Sequence, residues 1–106
     1  MGKKLREQTW EDYGISNKRY KELMDCCQSG AYDEEVKYCA EMAYEDISMY
    51  IIESVKKRKT YESVEYFKGC RIPCGRTDFY AYRRLFYHLL DERLKMVQHG
   101  SDNIAQ

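Results

Sequence analysis

The stretch Ile72-Pro73-Cys74-Gly75-Arg76-Thr77-Asp78-Phe79-Tyr80-Ala81-Tyr82-Arg83-Arg84 decides how this chain is read. Pro73 and Gly75 belong in a turn. From Arg76 onward, aromatic residues fall on one side of a helix and arginines on the other. A short helix, Thr60 to Lys68, comes before it and is stopped by Gly69. Helix, turn, and a second helix with Arg, Thr and Tyr near its start is how a helix-turn-helix offers side chains to the major groove.

Working outward, the remaining segments also read as helices. Ser16 is placed to cap a helix whose stripe is Tyr20, Leu23, Met24 and Cys27, with Gly30 as its end. Asp33 is placed to cap the next, where Glu34 and Glu35 suit the positive end of the dipole. Val36, Ala40, Ala43, Ile47, Tyr50, Ile51 and Ser54 keep the helical period, which predicts one long helix to about Lys57. In the short helix, Tyr61, Val64 and Phe67 form the apolar stripe, and Ile72 plugs the angle after it. The last helix is predicted over 76–98, with Phe79, Tyr82, Phe86, Leu89, Leu90, Leu94 and Val97 inward and Gly100 beyond its end.

The expected fold is therefore all-α, one small domain of four to five helices with a C-terminal helix-turn-helix-like unit. Residues 1–9 read as a flexible basic arm, 10–98 as the helical domain (its helix-turn-helix-like part 60–98), and 99–106 as a frayed tail. Trp10 is expected to pack onto the body. A chain of 106 residues can bury about two-thirds of its unfolded surface in one modest core.

Charge is balanced in total but not in place: the formal net charge is zero. Between Asp33 and Glu53 stand seven acids and one base, Lys37, after which Lys56, Lys57, Arg58 and Lys59 follow one another. Four arginines and a single acid, Asp78, lie between Arg71 and Arg84. A neutral chain so divided can still carry a basic face. If Phe79, Tyr82, Phe86 and Leu89 face inward, the opposite face of that helix presents Arg76, Tyr80, Arg83, Arg84 and Tyr87. Arg76 and Thr77 then occupy the base-reading turn, and Arg83, Arg84 and Tyr87 lean toward the phosphate backbone. The plainer reading is a solvated helix whose arginines pair with the acidic segment, and a Tyr/Arg face also suits a protein partner.

The same residues, with Leu89-Leu90 after them, resemble the small phage and mobile-element transcription regulators of the ArpU/RinA type, whose C-terminal part looks like the helix-turn-helix of sigma factor region 4. The segment from Ser16 to Leu23 is similar to their N-terminal helix. That resemblance implies a cytoplasmic, DNA-binding regulator of transcription acting on double-stranded DNA. By that resemblance Arg76, Thr77, Tyr80, Arg83 and Arg84 would touch the duplex, while Ile72, Phe79 and Phe86 hold the motif together; the charge pattern adds the cluster Lys56, Lys57, Arg58 and Lys59 to the expected DNA-binding residues. The chain departs from the pattern at Cys74, where a capping Ser is expected, and in a turn from Gly69 to Gly75 that is longer than a compact motif needs. A mobile-element origin also admits an adaptor or inhibitor that binds RNA polymerase or another host protein without touching nucleic acid. Long helices would serve as the seam of a homodimer.

Other chemistry finds little footing. The longest apolar run, Met49 to Ile52, is far short of the roughly 20 residues a membrane helix needs. No secretory signal follows the basic start. Five cysteines, an odd number, read as reduced thiols, mostly small buried groups. Cys70 and Cys74 have zinc-like spacing, but apart from the adjacent Cys26-Cys27 no second close pair stands at the usual distance, so neither metal nor other cofactor is expected. No phosphate loop, paired-carboxylate motif or nucleophile elbow is present, and no catalytic residue is assigned.

Overall fold

Ser16 heads the first helix, its hydroxyl accepting the Arg19 N–H at 3.1 Å, and Gly30 ends it in the left-handed region at φ 81°. Thr60 does the same for the short helix, accepting from the Ser63 N–H at 3.2 Å, and Gly69 closes that helix at φ 68°. These polar stops fix the frame of the computed structural model, which describes the backbone of residues 4–105 and the side chains of residues 4–96. The elements are a 3-10 turn (Leu5–Glu7), α1 (Asn17–Ser29), α2 (Asp33–Tyr44), α3 (Ser48–Lys57), α4 (Tyr61–Lys68) and α5 (Arg76–Ala105). A second 3-10 turn, Glu45–Ile47, joins α2 to α3, and no strand occurs among the described residues. The fold is all-α, as the pattern of caps and stripes predicts.

The single rod expected over 33–57 is two helices. Tyr44 takes an extended backbone (φ −170°, ψ 107°) and the chain turns before α3 begins. An unbroken helix of that length would run about 37 Å in one direction, carrying its far half away from the core. The break instead lets α3 fold back against α2 and α1. Ile47 and Ile51 are thereby fully buried together with Ala40, and the Tyr44 ring settles 4.8 Å from that of Tyr82. Asp33 is not the cap of α2 either: Tyr32 holds that place without a side-chain bond, and Asp33 is the first helical residue.

α5 is the spine. Its closest partner is α2, whose contact side carries small residues, Cys39, Ala40 and Ala43, that let the helix backbones approach. The buried stripe of α5 is Phe79, Phe86, Tyr87, Leu90, Asp91 and Leu94, while Tyr82 and Leu89 are only half-buried. The sequence stripe was thus displaced part of a turn. Two neighbouring leucines satisfy either phase, and the aromatic Tyr87 takes the inner place by packing its ring 5.2 Å from Tyr20 and 5.7 Å from Trp10. Trp10 packs on the body as expected. Backbone helix also continues past Gly100, where a stop was expected; glycine inside a helix costs only about 1 kcal/mol. Val97, the side chains of the tail 99–106 and residues 1–3 of the arm lie outside the described residues. Among those described, no helix is long and apolar enough to cross a membrane.

Among the described residues Asp91 is the one buried acid, 1% exposed. Its carboxylate accepts from Arg19 Nε at 2.6 Å and meets Lys95 Nζ at 3.1 Å, tying α1 to α5. A buried charge stripped of one partner is far costlier than the intact pair is favourable. Asp91→Ala is therefore expected to destabilise the fold by about 3 kcal/mol, read as a lowered urea midpoint with an unchanged slope. An unaltered midpoint would show that the pair contributes nothing.

Candidate nucleic-acid interface

The α4–turn–α5 unit is held shut by two tyrosines. Tyr61, first residue of α4, donates its backbone N–H to the Tyr80 hydroxyl at 3.0 Å and its own hydroxyl to the Cys74 carbonyl at 2.8 Å. Its ring stands 5.5 Å from Phe79, edge to face. Ile72 is buried in the angle as predicted, and its N–H is taken by a Glu65 carboxylate oxygen at 2.9 Å. The turn is longer than the compact motif, yet it is bonded along its length. The Gly75 carbonyl accepts from the Phe79 N–H at 2.9 Å, which makes Gly75 rather than Cys74 the head of α5. A thiol at Cys74 therefore has no cap to supply.

The expected contact residues divide into three groups. Arg76 and Thr77 are exposed on the first turn of α5. Arg76 pairs with Glu62 at 3.0 Å, both side chains standing mostly in solvent, and its guanidinium lies 5.2 Å over the Tyr80 ring. Such an exposed pair is worth little.

Tyr80, Arg83 and Arg84 do not stand free. Tyr80 is half-buried and engaged by Tyr61. Arg83 turns inward, donating from Nη1 to Ser54 Oγ at 3.0 Å, while Ser54 donates onward to the Lys59 carbonyl at 2.7 Å. The guanidinium covers Tyr80 at 4.6 Å, and its Nε is buried with no partner. Arg84 donates from Nε to the Gln8 carbonyl at 3.0 Å. The helix face expected to present Arg83, Arg84 and Tyr87 outward is therefore partly internal: positions 79, 83, 86, 90 and 94 share one stripe at steps of three and four, and Tyr87 is 2% exposed.

In the run Lys56 to Lys59, three of the four cations are engaged. Lys56 pairs with Asp33 at 2.8 Å, and Lys57 and Lys59 share Glu53 at 3.3 and 2.6 Å. These lysines, led by Lys59, hold the Glu53 carboxyl below its ordinary pKa. Lys59 also lies 3.8 Å over the Phe67 ring. Arg58 ends α3 in the left-handed region at φ 55° and is exposed.

Two cations that the sequence reading did not assign stand beside Arg76 and Thr77 in the chain: Lys68 at the end of α4 and Arg71 in the turn. Both are exposed, and neither has a carboxylate within ion-pair distance among the described residues. Their signal was the local balance of the segment 56–76, seven bases against two acids, Glu62 and Glu65. Among the described residues no group of three or more His, Cys, Asp or Glu gathers to hold a metal ion. All five cysteines are free.

Two outcomes follow from this arrangement. Arg83→Ala removes the bond to Ser54 and the cover over Tyr80, and is expected to destabilise the protein by about 1–2 kcal/mol in a thermal melt; a melt identical to wild type would place Arg83 outside the fold's support. Burial pushes the Cys27 thiol up to about 12 and the Cys39 thiol to about 11. Since the thiolate is the reactive form, an alkylating reagent at pH 8 should label exposed Cys70 in the native protein and reach Cys27 and Cys39 only after denaturation, as peptide mapping would show.

Comparison of the chain with protein-family models, with curated proteins and with solved structures finds no match, so its function is argued from its own geometry.

Proposed function

We propose that the chain binds double-stranded DNA through the α4–turn–α5 unit, acting as a transcription regulator of the kind implied by the resemblance to phage and mobile-element proteins. The observation that carries this reading is the first turn of α5. Arg76 and Thr77 stand exposed there, on a helix start braced from behind by Tyr61, Tyr80 and Ile72. A rigid helix N-terminus bearing Arg and Thr suits base edges and phosphates alike. Lys68 and Arg71, with no carboxylate at ion-pair distance among the described residues, lie just before it in the chain, and Arg58 adds more charge at the end of α3. The contact set is accordingly Arg76, Thr77, Lys68, Arg71 and Arg58, while Arg83 and Tyr80 support the unit from within.

The reading is tested by binding to a labelled random duplex at several salt concentrations. Each phosphate neutralised contributes about −0.9 to the slope of log K against log salt. The triple substitution Lys68→Ala/Arg71→Ala/Arg76→Ala should flatten the slope by about two to three units and leave helix content unchanged. Wild-type protein that retains no duplex even at low salt would overturn the reading.

A second reading is favoured by one feature. Tyr66 and Phe67 stand side by side on α4, 81% and 66% exposed, with ring centroids 5.5 Å apart. Phe67 was expected inside, yet α4 has only eight residues and its last turn reaches past the core. Paired exposed aromatics suit a protein interface, and they replace Tyr80 and Tyr87 as the surface such a partner would meet. Tyr66→Ala/Phe67→Ala would then abolish capture of a host protein such as RNA polymerase and leave duplex binding as it was. Unchanged capture would remove α4 from that role.

A further inference from the structure

The segment that precedes the helical body lies on α5 with little apolar cover, Leu5 alone of its turn being half-buried. No residue of the turn Leu5–Glu7 is buried. Polar bonds hold it instead. The Arg6 guanidinium grips both oxygens of Asp78, from Nε at 2.5 Å and from Nη2 at 3.1 Å. Arg84 takes the arm's backbone, donating to the carbonyls of Gln8 at 3.0 Å and of Arg6 at 3.5 Å.

We infer that this arm, with Lys4 and Arg6 among its cations, is a second contact on duplex DNA, seated beside the first turn of α5 and held there by Arg84. The inference rests on the DNA reading proposed above. Asp78 lies in the first turn of α5, the turn that also carries Arg76 and Thr77, so the arm is seated against that turn. An acid in the first turn stabilises the helix, yet at a surface facing phosphates it repels them. Arg6 cancels that charge where it does harm, and Lys4 stands exposed beyond it. A cationic arm next to a reading helix is a known way to extend a footprint onto the backbone or into the neighbouring groove. Arg84 accordingly acts as a positioning residue: it meets the DNA only through the arm.

Full-length variants separate these roles: Lys4→Ala/Arg6→Ala, Arg84→Ala, and the three substitutions together. Duplex binding is followed by fluorescence anisotropy between about 50 and 200 mM salt, with thermal melts as the control for folding. The arm variant should bind roughly tenfold more weakly near physiological salt, with a slope flatter by about one to two units. Arg84→Ala should reproduce most of that loss, and the triple variant should lose no more than the arm variant alone, since the two act through one element. Losses that add in full would show that Arg84 touches phosphate itself and overturn its assignment. Binding unchanged in the arm variant would make the arm a strap only, and stronger binding would make it a shield over α5; either overturns the inference while the DNA reading stands. No binding by wild-type protein would remove both.

Discussion

The close approach of α5 to α2 is the constraint from which the rest of this structure follows. Cys39, Ala40 and Ala43 leave room for the large side chains of the spine, and Phe79, Phe86 and Leu90 lose all their exposure there and against the other helices. At about 25 cal/mol for each Å² of apolar surface removed from water, such residues supply most of the driving force in a chain this short. Once α5 is set at that rotation, residue 83 lies on the inward stripe whatever its charge. A long guanidinium at such a place must find polar company, and Ser54 and the Tyr80 ring provide it. The internal arginine is a consequence of helix phase, not a separate feature.

That dependence explains what could be read in advance. Helix ends were legible because their signals are local: a hydroxyl at Ser16 or Thr60 and a left-handed glycine at Gly30 or Gly69 act within one turn. Ile72 was legible for the same reason, since a lone branched residue between a glycine and a proline has only one apolar place to go. The phase of α5 was not, because Leu89 and Leu90 fit two rotations equally and only the rings of Trp10 and Tyr20, distant in sequence, choose between them. Nor could the break at Tyr44 be read, for the period of apolar residues runs on unbroken across it. Asp91 was silent too: its partner Arg19 is 72 positions away in the chain.

The basic face follows the same logic. Counted along the sequence, positive charges cluster in 56–59 and 76–84; in space, many of them are spoken for. Lys56 and Lys59 join elements of the body, and Arg84 and Arg83 serve the arm and the core. What is left is smaller: exposed Arg58, Lys68 and Arg71 and the loosely paired Arg76.

The bond from the Tyr61 N–H to the Tyr80 hydroxyl reaches beyond statics. An eight-residue helix is too short to persist by itself in water, and this one borrows a donor's partner from the helix it precedes. α4 thus has no separate existence: it should melt and reform together with the opening turns of α5, as one cooperative block at the edge of the molecule. Any ligand that stiffens the beginning of the spine would, through a single phenol, quiet its neighbour as well, and amide exchange along Val64 to Lys68 would slow although nothing had touched it.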